Sequence, residues 1–282
     1  LIKEKNILNL KEKLSKYPVG LVSFGTTAII GLIGIVIAFG PDFIWDRILN
    51  MYIDLTRPFS RNRWALTVAE SQQPFVNSWF GNFGTYYMFL FLISSIYLFY
   101  NFFKNTKFKW ELTGLYTLFI FSFIFSRYSS DSILNGKSTF SLSLYIGSLI
   151  VFNIIVLAYF IYGFYKEKNL YESFKNIDKS SVFLLIWFLV TAIGARSAVR
   201  LLFVFVPITA ILVSYLLIKF FDYGMSTENK LMKITSFLAV ALFIFAPFVS
   251  GSLIERGKIT IDTAKRTGAS YDQQWQLSMK WV

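Results

Sequence analysis

The residues whose types allow chemistry are one short acidic motif and a set of arginines. The motif is Thr-Val-Ala-Glu at positions 67–70, in a polar stretch that ends at Pro74. A carboxylate such as Glu70 can bind a hard cation or accept a hydrogen bond from a reacting group. The same spacing is also a capping box, which satisfies free amides at a helix start. The pattern is short, and we interpret Ser-Leu-Ile-Glu at 252–255 as a chance match to it.

The sequence contains no histidine and no cysteine. This composition excludes disulfides, thiolate nucleophiles, histidine acid–base pairs and zinc sites of the usual type within it. A metal bound by these residues would have to be a hard ion held by oxygen ligands. Carboxylate and guanidinium groups therefore remain as the candidates for chemistry.

The elements that must position these groups are membrane spans. The sequence is 55% hydrophobic and only 16% charged, with a mean hydropathy of +0.53, whereas a soluble domain is about a quarter charged. The apolar residues form runs of about 20, the length that crosses about 30 Å of hydrocarbon. We therefore predict an all-α, polytopic membrane helix bundle of about seven spans, at residues 19–39, 85–103, 108–126, 141–164, 181–195, 200–221 and 234–252.

Two interior features refine this prediction. The apolar stretch from Val182 to Phe221 would be about 60 Å long as one helix, so we expect a tight hairpin that turns at residues 194–197. Asn153 stands in the middle of a span. We expect its amide to make an interhelical hydrogen bond rather than to act in catalysis.

The lysines predict which helix ends face the cytoplasm. They precede the first span and fill alternate connections, near residues 104–109, 166–179 and 219–233. Because positive charge is retained on the cytoplasmic side, residues 1–18 are expected to be cytoplasmic. The external parts are then the long loop 40–84, the loop 127–140, the tip 196–200 and the tail after Leu253.

The arginines have the opposite distribution. All of them fall at or beyond the predicted outer boundary, at positions 47, 57, 61, 63, 127, 196, 200, 256 and 266. The planar guanidinium fork suits phosphate oxygens, so a lipid-linked phosphate at the outer face is one explanation. Anchoring to lipid headgroups, with the side chains extended to the interface, is the other. Both explanations stay open at this point.

Three segments resemble the catalytic subunit of oligosaccharyltransferase, particularly its archaeal form. That family has a short Thr/Ser-x-x-Glu motif in a long external loop, as at 67–70 here. Arg200, with the apolar run to Pro207, is similar to the family's arginine at the outer end of a span. The tail 271–281 is similar to the helix that leads into the family's Trp-Trp-Asp-Tyr-Gly motif. We therefore expect this sequence to be a piece of a longer protein.

The resemblance implies a GT-C-type glycosyltransferase of the cell membrane, acting at the extracytoplasmic face. It would transfer a glycan from a polyprenyl- or dolichyl-(pyro)phosphate carrier to the asparagine of Asn-x-Ser/Thr sequons. Glu70 would bind Mg²⁺ or Mn²⁺ and hold the acceptor amide, and Thr67 would lie beside the acceptor polypeptide. Arg200 would bind the carrier phosphate, and Arg196 is a weaker candidate for the same role. No nucleic acid is expected as a partner.

The implied organisation is a cytoplasmic segment 1–18, a transmembrane bundle 19–252 with the catalytic loop 40–84, and an external linker 253–282 into a further soluble domain. Two features depart from the family. Six predicted spans follow the loop where the family has four, and the acidic residues of the family's early external loops are absent from this sequence. The alternatives are an O-mannosyl- or arabinosyltransferase that uses a polyprenyl phosphate, a transporter of lipid-linked glycans, or a non-catalytic scaffold.

Overall fold

The computed structural model describes residues 17–56, 72–245 and 253–266, and this part of the chain is helical, without a β-sheet. Its α-helices are α1 (Val19–Phe39), α2 (Pro41–Thr56), α3 (Val76–Phe83), α4 (Thr85–Phe103), α5 (Lys109–Phe125), α6 (Thr139–Lys166), α7 (Lys168–Lys175), α8 (Lys179–Ser197), α9 (Leu202–Ser226), α10 (Lys230–Phe245) and α11 (Leu253–Arg266). A short 3₁₀ helix, Val199–Leu201, joins α8 to α9.

Five of these helical segments are long and apolar enough to cross a membrane: α1, α4, α6, α8 and the run Val199–Ser226. They confirm the predicted class, a helical membrane protein. The helices α5 and α10 have 17 and 16 residues, or about 26 and 24 Å, short of the roughly 30 Å of a hydrocarbon core. The third and seventh predicted spans, 108–126 and 234–252, therefore stay predictions, and residues 246–252 of the last one lie outside the described part.

Local sequence explains where several helices begin. The Ser138 side chain accepts a hydrogen bond from the Ser141 amide at the start of α6, and Asp178 does the same for the Ser181 amide at the start of α8. Such caps satisfy amides that have no partner within the helix. Between α1 and α2, Gly40 has a positive φ of 84°, which glycine adopts without strain.

The hairpin between α8 and α9 is present, but its predicted turn was wrong by a few residues. Gly194 to Ser197 are still part of α8, and the break begins at the extended residue Ala198. The amide of Val199 donates to the carbonyl of Gln72 over 2.9 Å. The interruption of the helix leaves the Val199 amide without a helical partner, and the carbonyl of Gln72, distant in the sequence, satisfies it. This bond explains why the turn can lie after Gly194.

The predicted long loop 40–84 contains two helices that the sequence analysis did not predict, α2 and α3. On α2, Trp45, Ile48 and Leu49 are exposed together with the charged side chains of Asp42 and Asp46. Exposed apolar and charged groups on one short helix are typical of a helix lying in a membrane interface. Residues 57–71 of the loop lie outside the described part of the chain.

One smaller expectation was wrong, and one helix was not predicted. The amide of Asn153 donates to the carbonyl of Leu149 over 2.7 Å within α6, so its own helix satisfies it and the interhelical bond is not needed. The unpredicted helix is α11, which begins at Leu253 with Glu255 in its first turn, while Ser252 lies outside the described residues. The helix predicted to begin near Ser270 lies outside the described residues.

The chain divides into two compact units. The first comprises residues 1–78 and 95–208, and the second comprises residues 79–94 and 209–282. Aromatic rings form the core of the first unit. Phe99 stacks on Tyr116 with ring centroids 4.5 Å apart, and Phe119 stacks on Phe152 at 4.6 Å. Each such pair adds about 0.5–1.5 kcal/mol beyond the area it buries.

The second unit contains polar contacts among its apolar side chains. The Ser94 hydroxyl donates to the carbonyl of Leu212, and the hydroxyls of Tyr87 and Thr209 lie 3.3 Å apart. A side chain at Gly224 would come within 3.2 Å of Ser236. Glycine therefore allows α9 and α10 to approach closely beside their connection.

Candidate functional site

Three connections of the first unit meet at one place, which we call the arginine end: residues 72–76, 126–138 and 196–201. The amide of Val76 donates to the carbonyl of Arg127 over 3.1 Å, and the Val199 amide donates to Gln72. Nη2 of Arg196 donates to Oγ of Ser126 over 3.3 Å. The loops predicted to share one face of the membrane are thus neighbours, while the side of the membrane that they face stays a prediction.

The loop between α5 and α6 folds back on itself at this end. Arg127 and Asn135 form an isolated antiparallel bridge, and the amide of Tyr128 donates to the carbonyl of Leu134 over 2.6 Å. Gly136 has a φ of +80°, and a side chain there would lie 2.6 Å from Nη1 of Arg127. Only glycine leaves the guanidinium this space and adopts this backbone conformation without strain.

Arg127 lies against the segment that follows the acidic motif. Its Nη1 donates to Oε1 of Gln73 over 3.1 Å and to the carbonyl of Asn135 over 3.3 Å. Its guanidinium carbon lies 4.3 Å from the centre of the Phe75 ring, within the range of a cation–π interaction. The side chain is 8% exposed, and its Nε has no hydrogen-bond partner within residues 17–56, 72–245 and 253–266. Burial lowers the pKa of Arg127, because removal from water disfavours the charged form.

Arg196 is the most deeply buried charged group at this end, with 2% of its surface exposed. Its guanidinium carbon lies 4.9 Å from the centre of the Tyr145 ring. Its Nη2 bonds to Ser126, but its Nε and Nη1 have no hydrogen-bond partner among the described residues. A buried guanidinium with open donors is costly unless an anion or another acceptor satisfies it.

Two serines connect Arg196 to the loop. The Ser126 hydroxyl donates to the carbonyl of Phe123 over 2.8 Å, and the Ser141 hydroxyl donates to the Ser126 carbonyl. The amide of Gly136 in turn donates to Oγ of Ser141 over 2.9 Å. Both serines are fully buried. This chain of bonds fixes the loop that carries Arg127 relative to the start of α6.

The two guanidinium groups repel each other electrostatically. In the part of the chain that the structure describes, the ion pairs are made by lysines, and neither Arg127 nor Arg196 has a carboxylate within ion-pair distance. Two buried positive charges without a counter-charge create a strongly positive region. Chemically, this arrangement is suited to an anion with several oxygens, such as a phosphate.

The predicted site residues have different outcomes. Arg200 is exposed and lies in the 3₁₀ turn Val199–Leu201, directly after the residue that bonds to Gln72. The break at Ala198 separates Arg200 from Arg196, so the two arginines do not lie on one continuous helix. Thr67 and Glu70 lie outside the described residues. Among the residues described, no group of three or more acidic side chains is arranged to hold a metal.

Sequence reasoning missed the role of Arg127, which it named only as one of the outer arginines. Its contact with Gln73 joins residues 54 positions apart, and no local pattern predicts such a contact. One signal was present in the sequence. Gly136 follows Arg127 within a short polar loop, and a glycine in such a loop often marks a close approach.

At the other end of the same unit, residues 101–109 and 167–181 form what we call the lysine end. Nζ of Lys107 lies 2.6 Å from a carboxylate oxygen of Glu167. A cavity of about 490 Å³ lies at the same end, lined mainly by amide and charged side chains: Asn101, Lys104, Asn105, Asn169, Glu172 and Asp178.

Comparison with known proteins adds no assignment: no protein-family model, no curated protein and no solved structure matches this chain. The likeness to oligosaccharyltransferases therefore depends on the three quoted segments alone.

Proposed function

We propose that the chain is the membrane part of an oligosaccharyltransferase of GT-C architecture. It transfers a glycan from a polyprenyl-(pyro)phosphate carrier to the asparagine of Asn-x-Ser/Thr sequons, at the extracytoplasmic face of the cell membrane. The observation that carries the proposal is the buried guanidinium of Arg196. Its Nε and Nη1 have no partner among the described residues, and no carboxylate there neutralises it.

The carrier phosphate is the anion that this group would bind. A lipid-linked phosphate lies at the membrane boundary. In this proposal that boundary is at the end of α8, where the extended residue Ala198 interrupts the helix. Arg196 would hold one phosphate oxygen from the interior, and Arg200, which is exposed in the turn beyond the break, would approach from the aqueous side. Negative charge grows on the phosphate as the glycan leaves, and fixed guanidinium groups in a poorly hydrated site stabilise that charge.

In this proposal the acidic motif reaches the same end, because it precedes Gln72 in the chain. Gln72 is bonded to Val199, and Glu70 precedes Gln72 by two residues, a length of chain that spans at most about 7 Å. In this proposal Glu70 accepts hydrogen bonds from the acceptor amide and orients its nitrogen for attack. Thr67 contacts the acceptor polypeptide beside it.

The chemistry of Glu70 also fits a divalent cation. Mg²⁺ is commonly held by one or two carboxylates with phosphate oxygens and water, so one carboxylate beside a carrier phosphate is a suitable donor set for Mg²⁺ or Mn²⁺. Such an ion would supply further positive charge at the phosphate. The orientation of the acceptor amide remains the task of Glu70.

The proposal is tested by Glu70→Gln, with Glu255→Gln as a matched control, because both glutamates end a Ser/Thr-x-x-Glu pattern. The protein is assayed with a lipid-linked glycan and a sequon peptide. Loss of a group that acts only in the transition state typically lowers the rate about 100-fold or more, so we expect that loss for Glu70→Gln and a rate near wild type for Glu255→Gln. Wild-type transfer by Glu70→Gln refutes the assignment.

A second candidate is favoured by the same arginines, which fit any polyprenyl phosphate. A transferase with another acceptor, or a transporter of lipid-linked glycans, would also bind that phosphate through Arg196. The acceptor separates these functions. Transfer to Asn-x-Thr but not to Gln-x-Thr peptides supports oligosaccharyl transfer, whereas carrier binding without either product supports the alternatives.

A further inference from the structure

We propose that Arg127 is a positioning residue that holds the segment 72–76, directly after the acidic motif, against the loop 126–138. We call this holding contact between Arg127 and the segment 72–76 the clamp. The expected effect of the clamp on glycan transfer rests on the proposed function, but the clamp itself does not. Nothing in the sequence analysis gave Arg127 this role.

The contacts of Arg127 reach both sides of the segment. Its backbone carbonyl accepts from the amide of Val76, and its Nη1 donates to Oε1 of Gln73. Its guanidinium lies on the ring of Phe75 at 4.3 Å. One residue thus contacts three of the five residues in the segment, through a backbone bond, a side-chain bond and a ring contact.

The segment is held at its other end by the hairpin. The bond from the Val199 amide to Gln72 leaves the Gln72 side chain exposed. Two fixed points four residues apart, at 72 and 76, constrain the direction in which the chain enters α3. Arg127 is a charged side chain in contact with this segment, through Gln73 and Phe75.

Gly136 provides a separate way to disturb the same side chain. A Cβ at this position would lie 2.6 Å from Nη1 and 2.9 Å from Cδ of Arg127, and its φ of +80° disfavours other residues. Gly136→Ala therefore displaces the guanidinium without removing it. If the clamp operates, Gly136→Ala and Arg127→Gln should release the same segment.

Arg127 also connects the segment to the phosphate-binding arginine. It directly follows Ser126, whose Oγ accepts from Nη2 of Arg196. The loop is held in turn by the bond from the Gly136 amide to Ser141. The clamp thus fixes the distance between the segment 72–76 and Arg196. In the proposed reaction, the motif that precedes this segment and Arg196 must lie close together.

The first test measures the clamp without activity. Because the sequence has no cysteine, Gln72→Cys gives a single site for a nitroxide label, whose mobility is read by EPR in lipid nanodiscs. We expect Arg127→Gln and Gly136→Ala to increase the mobility of the label severalfold. Lys137→Gln is the matched control, since Lys137 is an exposed cation in the same loop, and it should leave the spectrum unchanged. Unchanged spectra in both clamp variants overturn the proposal.

The second test separates positioning from general stability. We expect Arg127→Gln to lower kcat for sequon transfer about 30-fold, the loss that a misplaced catalytic group causes, with KM for the lipid-linked glycan unchanged. Arg127→Lys keeps the charge and the fold but lacks the planar fork, so it should recover only part of the rate. Equal rates for Arg127→Gln and Lys137→Gln contradict the proposal. If the wild type transfers no glycan, the proposed function fails, and the EPR result still decides the clamp.

Discussion

Positively charged side chains have opposite surroundings at the two ends of the first unit. At the lysine end, Lys107 is 60% exposed and pairs with Glu167, and the hydrogen bond to that carboxylate raises the pKa of Lys107. At the arginine end, Arg127 is buried and forms no ion pair with a carboxylate of the described residues, and desolvation lowers its pKa. The same formal charge is stabilised in one place and destabilised in the other.

The difference separates two uses of positive charge in a membrane protein. Exposed lysines in short connections are sufficient to set orientation, and they need no special geometry. Buried guanidinium groups cost free energy unless something compensates them, and orientation alone would not retain them. The arginine end is therefore where a ligand is expected, and the lysine end is where the cytoplasm is expected.

The largest expected effect concerns the sides of the membrane on which the two ends lie. Asn105 at the lysine end and Ser130 at the arginine end are both exposed, and α5 runs between their connections. In sealed, right-side-out vesicles, a membrane-impermeant maleimide should label Ser130→Cys and should not label Asn105→Cys until detergent is added. Labelling of both cysteines before detergent is added would show that the two ends do not lie on opposite sides of the membrane.

The next largest effect follows from removing the most deeply buried charge. We expect Arg196→Met to weaken binding of the lipid-linked phosphate by about 3 kcal/mol, or roughly 100-fold, because charge-assisted hydrogen bonds are lost. The melting temperature in detergent should not fall, since replacing an uncompensated buried charge by an apolar chain is often neutral or stabilising. Titration with a fluorescent polyprenyl phosphate and a thermal unfolding series measure the two effects.

The matched control is Lys107→Met, which removes one cation at the other end of the unit. It should leave carrier binding unchanged, because Lys107 is exposed and paired with Glu167. If Arg196→Met binds the carrier normally and is strongly destabilised, Arg196 serves packing rather than ligand binding. That outcome would show the arginine end to be a structural site.

The membrane class and several span boundaries could be predicted from the sequence. The predicted spans 19–39 and 85–103 coincide with α1 and α4, because an apolar run in a membrane protein has one stable solution, a helix that satisfies its own backbone. The grouping of the loops at the arginine end also follows, since alternate connections of antiparallel helices lie at the same end.

The candidate site was predictable only in part. Arg196 and Arg200 were identified by type and place, but the break at Ala198 depends on the bond between Val199 and Gln72, which no local pattern encodes. The same is true of Arg127, whose partner Gln73 lies 54 residues away along the chain. Helix α11 was missed for a different reason: it lies in the segment that was predicted as an external linker.

The smallest expected effect tests the lysine end through the cap of α8. Asp178 accepts hydrogen bonds from the amide and hydroxyl of Ser181 at 2.9 Å, and the bond from the amide, first of all, lowers the pKa of Asp178 below its usual 3.8. A depressed carboxyl pKa adds stability that is present above 3.8 and is lost as the pH falls through the folded-state value. Asp178→Ala should therefore lower the melting temperature slightly at pH 7 and have less effect as the pH falls below 3.8.

Asp178→Asn is the matched control, since asparagine keeps the cap acceptor but not the charge. Its melting temperature should lie between those of wild type and Asp178→Ala at pH 7. Neither substitution should change carrier binding at the arginine end, because Asp178 lies at the first turn of α8 and Arg196 lies in its last turn. A carrier-binding defect in Asp178→Asn would mean that the two ends are coupled through α8, and the division between an orienting end and a binding end would then have to be given up.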